Sequence, residues 1–324
     1  MTAMALDLFS LVISLVLLYF GAEWLIRGAA QIAVHFGVRP LVVGLVIVGF
    51  GTSMPEVVVS SLASFHGHSE TALGNVIGSN IANSGLILAS ATLVRPMQCD
   101  LGLLRREGPL LVVLTCLVWA IAFTGSYSRL FGAVAVLGLV VFVLLTLYWA
   151  RRQGAKLEHE FREFEKAEAI STKAAILPQI GLVFVGIVLL MGGGQLLVNA
   201  AVAIARRLGV SELVIAMTMI SVGTSVPELA TSIVAALRRQ GDISIGNIIG
   251  SNIFNLLGVL GLSALIRPID VPSRIRSFDL PWMVGFAVLT VIFLRTGRRL
   301  SRWEGAILLG VYGAFLLTIA GIRL

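Results

Sequence analysis

GTSMPEVVVSSLASFHGHSETALGNVIGSNIAN, residues 51–83, is matched without a gap by GTSVPELATSIVAALRRQGDISIGNIIGSNIFN, residues 223–255. The offset is a constant 172, and fifteen of the 33 positions are identical: Gly51, Thr52, Ser53, Pro55, Glu56, Ser60, Ala63, Gly74, Asn75, Ile77, Gly78, Ser79, Asn80, Ile81 and Asn83 all recur. The register extends to Arg95-Pro96 and Arg267-Pro268, and upstream Gly21, Leu25, Gly37 and Val38 meet Gly193, Leu197, Gly209 and Val210. The chain is therefore one unit written twice, and a repeat of this length decides the architecture.

The repeat sits in an apolar chain. Of 324 residues, 57% are hydrophobic and 13% charged, with a mean hydropathy of +0.97, against about 25% charged in an ordinary soluble domain. Apolar runs near 8–26, 40–64, 71–93, 109–124, 130–150, 175–198, 211–236, 243–265, 280–294 and 304–322 are mostly of spanning length, roughly 17–25 residues. The expected fold class is an all-α integral membrane protein of ten transmembrane helices. Gly125 and Ser126 make only a weak break between the fourth and fifth. No Lys or Arg precedes the first run, so it lacks the basic start of a cleaved signal peptide.

Residues 1–150 and 174–324 hold about five helices each, joined by the charged segment 151–173 with its six basic and five acidic residues. That linker is expected to be a solvated, cytoplasmic connector. An odd number of helices per half sends the second half into the membrane from the opposite side, giving two inverted five-helix repeats with broken helices 2 and 7 at the core. In such transporters the binding site lies near the bilayer midplane, where the repeats meet. The formal charge of +7 reflects topology rather than nucleic-acid binding: alternating sides give 17 Lys and Arg on one side and seven on the other. The richer side is expected to be cytoplasmic, with both termini outside a cell (inner or plasma) membrane.

Each motif has a specific chemistry. Pro55 and Pro227 lack an N–H and clash with the carbonyl four residues earlier, so a helix frees the C=O of Gly51 or Gly223 and breaks there. Freed carbonyls at membrane depth are tolerated only within protein or along a watery cavity, where they coordinate cations. Glu56 follows Thr52 by four residues, as Glu228 follows Thr224, which puts hydroxyl and carboxylate on one face of a regular helix. A charge at the bilayer centre costs about 2.5–3.5 kcal/mol, and neither motif contains a Lys or Arg to offset it. A bound cation is the simplest compensation. GNVIGSNIAN and GNIIGSNIFN then add Ser79 and Asn83, Ser251 and Asn255, on Gly-rich helices that approach closely. All the donors are oxygens, which suits a hard cation such as Ca²⁺ with its 6–8 oxygen ligands and not a soft transition metal. Taken singly, a Gly-rich helix packs and a Pro-kinked helix bends; two copies in opposed halves favour an ion site.

The remaining polar residues are expected to do less. Glu23, opposite Gln195 in the repeat, reads as a snorkelling interfacial acid. His66, His68 and Glu70 read as an outer turn, and Cys99 and Cys116 as inert. Glu70 and Asp242 suit the starts of helices, where the dipole favours acids.

The paired GTS(M/V)PE and GN(V/I)IGSNI segments resemble the alpha repeats of the sodium/calcium exchanger family of calcium:cation antiporters, in its short prokaryotic form. The resemblance implies ten transmembrane helices, a central diamond of four cation positions, and alternating access in which the first and sixth helices slide across the rest. It makes Glu56 and Glu228 the shared carboxylates for Ca²⁺ and Na⁺. Thr52, Ser53, Thr224, Ser225, Ser79 and Ser251 line the sites, the carbonyls of Gly49 and Ser221 contribute, and Asn83 matches the family's amide. Asn255 departs from members that carry aspartate there. Two carboxylates give the pocket about −2, which one Ca²⁺ or two Na⁺ neutralise, so K⁺-independent exchange is expected.

The expected function is secondary antiport of Ca²⁺ against Na⁺, with no cofactor, the bilayer as surroundings, protein partners left open and a monomer as the working expectation. Antiport of Ca²⁺ against H⁺ is the alternative within the class and a cation channel the alternative outside it. An intramembrane hydrolase would need a His or Lys beside Ser53 or Ser225 to act as base, and these spans contain none.

Overall fold

The computed structural model describes residues 2–36, 40–99, 105–153, 176–208 and 223–319. Helix α1 (Thr2–Phe36) is followed by the bent pair α2 (40–52) and α3 (Met54–Phe65), then α4 (Ser69–Val94) and the two-residue strand β1 (Met97–Gln98). Helices α5 (Glu107–Ala122) and α6 (Arg129–Gln153) flank strand β2 (Ser126–Tyr127). The second half runs α7 (Ile176–Arg207), α8 (Val226–Leu237), α9 (Gly241–Ile266), β3 (Ile269–Asp270), α10 (Ile275–Arg295), β4 (Arg299–Leu300) and α11 (Arg302–Ile319). Among the described residues, seven helices are long and apolar enough to cross a membrane, or eight if the α2–α3 pair counts as one span. The shorter apolar helices α5 and α8 accompany them. The linker lies outside the described residues from 154 onward.

The most-repeated sequence occupies the centre. In the spanning windows of α4 and α9, 78% and 89% of residues are buried, against 17–28% in α1, α6 and α7. The outer helices turn Phe9, Leu130, Leu177 and Phe184 outward, each more than 60% exposed, as lipid-facing surface requires. Helices α1 and α7 pack on each other along their length. Their glycines make this possible: a Cβ on Gly21 would fall 3.0 Å from the Gly186 carbonyl, and one on Gly186 2.8 Å from that of Gly21. Leu17 and Leu18 meet Gly193, whereas Gly28 meets Gln179 and Val183, so the two helices run antiparallel. An ion pair from Asp7 to Arg207 at 2.6 Å joins the start of one to the end of the other.

Two small ladders tie the halves together at their ends. Strand β1 pairs with β4, Met97 opposite Leu300, and β2 with β3, Tyr127 opposite Ile269. The weak break at Gly125 is a full turn: Gly125 takes φ +90° and its carbonyl accepts from Val271 N–H at 2.8 Å. The helix interiors also carry wider π turns, at Gly44–Val48, Asn83–Leu88, Asn255–Val259 and Ile275–Asp279. Two of them begin on Asn83 and Asn255, equivalent residues of the repeat. The π turn in α2 lies so close to α9 that a Cβ on Gly250 would fall 2.3 Å from the Leu45 carbonyl oxygen.

Gly250→Ala is therefore expected to push α2 from α9, costing about 1–3 kcal/mol and lowering the thermal unfolding midpoint in detergent. Gly310→Ala, where a Cβ meets nothing within 4 Å, is expected to leave that midpoint unchanged or raised.

Candidate cation site

The break in the second span falls at Ser53, between Thr52 and Glu56. Ser53 has φ −82° and ψ 7°, and α2 and α3 meet there at 45°. Ser225 takes the same conformation, φ −91° and ψ 8°, at the start of α8. Pro55 and Pro227 occupy the first turn beyond each break, where a missing N–H costs nothing. Thr52 and Glu56 therefore do not share one helix face. The turn separates them: Thr52 bonds back to Val48 O at 3.0 Å and also reaches the other half, and Glu56 accepts hydroxyls from both halves.

Ser53 donates from Oγ to Glu228 Oε1 at 3.1 Å, and Ser225 donates from Oγ to Glu56 Oε1 at 3.3 Å. Thr52 donates to Asn247 Oδ1 at 3.2 Å, and Thr224 to Asn75 Oδ1 at 3.0 Å. Thr52 and Ser251 hydroxyls lie 3.4 Å apart, and Thr224 and Ser79 hydroxyls 3.5 Å apart. Every contact in this set has a mate displaced by 172 residues with the halves exchanged. Asn75 donates to Ser60 Oγ at 2.8 Å and Asn247 to Ser232 Oγ at 3.1 Å, bracing each amide from its own half. Such reciprocity is the signature of a two-fold relation, in which i meets j and j meets i.

Glu56 and Glu228 are fully buried. One oxygen of each, Oε1, accepts hydroxyls: Glu56 also accepts from Ser79 Oγ at 3.4 Å. The other oxygen, Oε2, has no hydrogen-bond partner among the described residues in either glutamate. Asn83 Oδ1 and both polar atoms of Asn255 are in the same condition, and both side chains are fully buried. A buried acceptor left unpaired costs about 1–3 kcal/mol, more when charged, and four of these unpaired atoms are oxygens gathered in one cluster: Glu56 Oε2, Glu228 Oε2, Asn83 Oδ1 and Asn255 Oδ1. The hydroxyl–carboxylate contacts are also longer than the ~2.5–2.7 Å of a saturated charge-assisted bond. Among the described residues no group of three or more His, Cys, Asp or Glu side chains converges. The donors are carboxylate, amide and hydroxyl oxygens, the ligands of a hard cation.

The two-fold relation holds for Asn75 and Asn247 and stops at Asn80 and Asn83 and their counterparts Asn252 and Asn255. Asn83 donates to Asn252 Oδ1 at 3.0 Å, and Asn252 to Ser84 Oγ at 3.2 Å. Asn80, the counterpart of Asn252, instead donates to its own helix at Val76 O. Gly49 lies in the cluster, but its carbonyl is engaged by Ser53 N–H at 3.1 Å and Ser251 Oγ at 3.3 Å. Ser221 lies outside the described residues, with the rest of 209–222. Asn75, Asn247, Asn252, Ser60 and Ser232 were not singled out as site residues by sequence, although their recurrence among the identical repeat positions was the available signal.

Glu23 is not the snorkelling acid that its position in the sequence suggests. It is 7% exposed and held in an ion pair with Arg238 at the end of α8, with Arg27 at 3.8 Å on its own helix. It is a buried bridge between α1 and α8 rather than an acid reaching for water. Its repeat counterpart Gln195 donates to Asn199 Oδ1 at 2.9 Å on an exposed face.

The family comparison follows the same two-part division. The family described as sodium/calcium exchanger protein matches residues 6–148 and again 178–321. The chain belongs to the sodium/calcium exchanger family. It is a multi-pass membrane transporter and not an enzyme. CaxA of Alkalimonas amylolytica is 38% identical over 301 residues, covering 92% of this chain and 93% of that one. The sodium/calcium exchanger MaX1 of Methanosarcina acetivorans is 31% identical over 339 residues, covering 95% and 97%. The solved sodium-calcium exchanger NCX_Mj, soaked with 10 mM Na⁺ and 10 mM Sr²⁺, superposes with a TM-score of 0.82 at 28% identity over 99% of both chains.

Removing either cross-half hydroxyl, by Ser53→Ala or Ser225→Ala, is expected to weaken Ca²⁺ binding about tenfold or more, since a hydrogen bond to a charged group contributes roughly 1.5–3 kcal/mol. Calorimetric titration of the purified protein would read both. Two effects of similar size are expected, because the two serines hold equivalent places.

Proposed function

We propose that the protein exchanges Ca²⁺ for Na⁺ by alternating access at one site shared between Glu56 and Glu228, without a requirement for K⁺. The observation that carries this reading is the crossed pair of carboxylates, each braced by a serine of the other half and each keeping one buried oxygen without a partner. The family and the named exchangers among its relatives supply the ions: Ca²⁺ and Na⁺ are the cargo, and no cofactor enters.

Coupling follows from charge. The two glutamates carry about −2, so one Ca²⁺ or two Na⁺ neutralise the pocket, and an empty pocket is costly to seal from water. The ions compete for the same oxygens and therefore take turns. Glu56, Glu228, Thr52, Ser53, Thr224, Ser225, Ser79, Ser251, Asn83 and Asn255 are the proposed ligands or lining, with Asn75 and Asn247 fixing the threonines. The carbonyls of Gly49 and Ser221 belong to the same proposal. With Asn255 neutral, the pocket has no third carboxylate to offset a co-bound K⁺.

The proposed frame is ten transmembrane helices in two inverted repeats, 1–150 and 174–324, joined by a cytoplasmic linker at 151–173. The antiparallel course of α1 and α7 supports the inversion. The bent pair, α5 and α8 bring the seven long helices to ten. The mobile element is the α1–α7 pair, which packs chiefly on itself. The bias of 17 Lys and Arg to seven supports a cell-membrane location with both termini outside.

In reconstituted vesicles, an opposed Na⁺ gradient is expected to drive radiolabelled Ca²⁺ uptake and added K⁺ to leave the rate unchanged. Glu56→Gln and Glu228→Gln are each expected to lower Ca²⁺ affinity at least about a hundredfold, as removing one partner of a buried charge pair costs about 3–5 kcal/mol. Uptake driven equally by a pH gradient would favour H⁺ as the counter-ion. Flux that survives both glutamine substitutions would refute the shared site.

A further inference from the structure

Away from the cation site, a cavity of about 780 Å³ opens at one end of the helix bundle, where α4 ends, α8 turns into α9 and β4 leads into α11. Among the described residues, four arginines line it, Arg95, Arg239, Arg299 and Arg302, against one acid, Asp242. The repeat contains its own control for this cavity. At the equivalent end of the other half, Arg95 corresponds to Arg267 and Asp242 to Glu70, which preserve the charge type. Arg239, however, corresponds to Gly67. Arg299 pairs with Gln98 across its ladder as Ser126 pairs with Asp270, so its equivalent is a serine.

Arg239 stands in a left-handed backbone, φ +64°, where Gly67 has φ +82°. Glycine adopts that conformation freely and arginine does not. The fold closes the same turn and the same ladder with glycine and serine in its first half. Two arginines have thus been added where the architecture does not require them, one of them against backbone preference, and both line one cavity. Arg302 is different. It donates to the carbonyls of Leu93 and Val94 at 3.2 and 3.4 Å and so caps the end of α4.

The neighbours of the arginines indicate which anion fits. Val94 and Leu237, on the cavity wall, are 40% and 59% exposed, and Trp303, beside Arg302, is 82% exposed. An exposed Trp at the end of an apolar helix marks the headgroup level of a bilayer, and basic pockets between transmembrane helices at that level receive phospholipid headgroups. We propose that this cavity binds the phosphate of an anionic phospholipid headgroup, with Arg239 and Arg299 as its added ligands and its acyl chains against Val94 and Leu237. Guanidinium suits the task, since its planar fork pairs two-to-two with phosphate oxygens.

The test borrows the residues of the other half. The full chain and an Arg239→Gly, Arg299→Ser double variant are purified in neutral detergent and titrated with dioleoyl-phosphatidylglycerol, dioleoyl-phosphatidylcholine and inorganic phosphate, with binding read by native mass spectrometry. The variant is expected to bind phosphatidylglycerol about thirtyfold more weakly, as two basic residues near a headgroup predict, and phosphatidylcholine as the parent does. Its lipid-free unfolding midpoint is expected to be no lower than the parent's, because glycine and serine satisfy the same turn and ladder. Equal phosphatidylglycerol binding by the two proteins overturns the proposal. So does full displacement of the lipid by equimolar inorganic phosphate, which would make the cavity a site for the free ion.

Discussion

The structure depends on one constraint: two carboxylates buried away from the protein surface. Glu56 and Glu228 are each fully enclosed, and neither motif provides a cation from its own side chains. Each carboxylate is met by a serine that the other half of the chain delivers from the start of a helix. The break at Ser53, the turn at Ser225 that opens α8, the prolines beyond them and the glycines that let α2 approach α9 all serve this meeting. So do the second-rank braces from Ser60 and Ser232 through Asn75 and Asn247, which hold the threonines in place. On the proposed reading, a site divided in this way is complete only when both halves are in register, which would tie ligand occupancy to their relative position.

Much of this was legible in the sequence because the repeat recorded it twice. Glu56, Ser53, Thr52, Ser79 and Asn83 recur at the same offset, and the oxygen-only inventory follows from reading them. Less was legible where the outcome rests on tertiary approach. Regular helical spacing puts Thr52 beside Glu56, but the chain breaks one residue after Thr52, and the threonine turns to Asn247. Proline chemistry locates a break within one turn; the serine conformation that closes the turn depends on the opposing helix. The π turns at Asn83 and Asn255 have no residue composition that marks them in a sequence; each is a local i→i+5 bulge within an α-helix. Glu23 was misread for a related reason: its partner Arg238 lies in the other half, and no local pattern announces the pair.

Departures from the repeat are as informative as its identities. The crossed hydroxyl contacts, with Asn75 and Asn247, obey the two-fold relation, while the layer of Asn80, Asn83, Asn252 and Asn255 does not: Asn252 links Asn83 to Ser84, whereas Asn80 bonds its own helix. A pocket with two equivalent carboxylates and unequal amides can hold one divalent ion centrally and still offer distinct positions to monovalent ions. At the bundle end the same logic isolates Arg239 and Arg299 as additions to an architecture that closes without them.

The central claim is that Ca²⁺ and Na⁺ use the same oxygens, and equilibrium binding of radiolabelled Ca²⁺ to the purified chain over a range of Na⁺ concentrations tests it most directly. The account predicts one Ca²⁺ per chain, displaced completely by Na⁺, with an apparent affinity that falls more steeply than in proportion to Na⁺ because more than one Na⁺ is needed to replace it. Ca²⁺ that remains bound at saturating Na⁺ would contradict it.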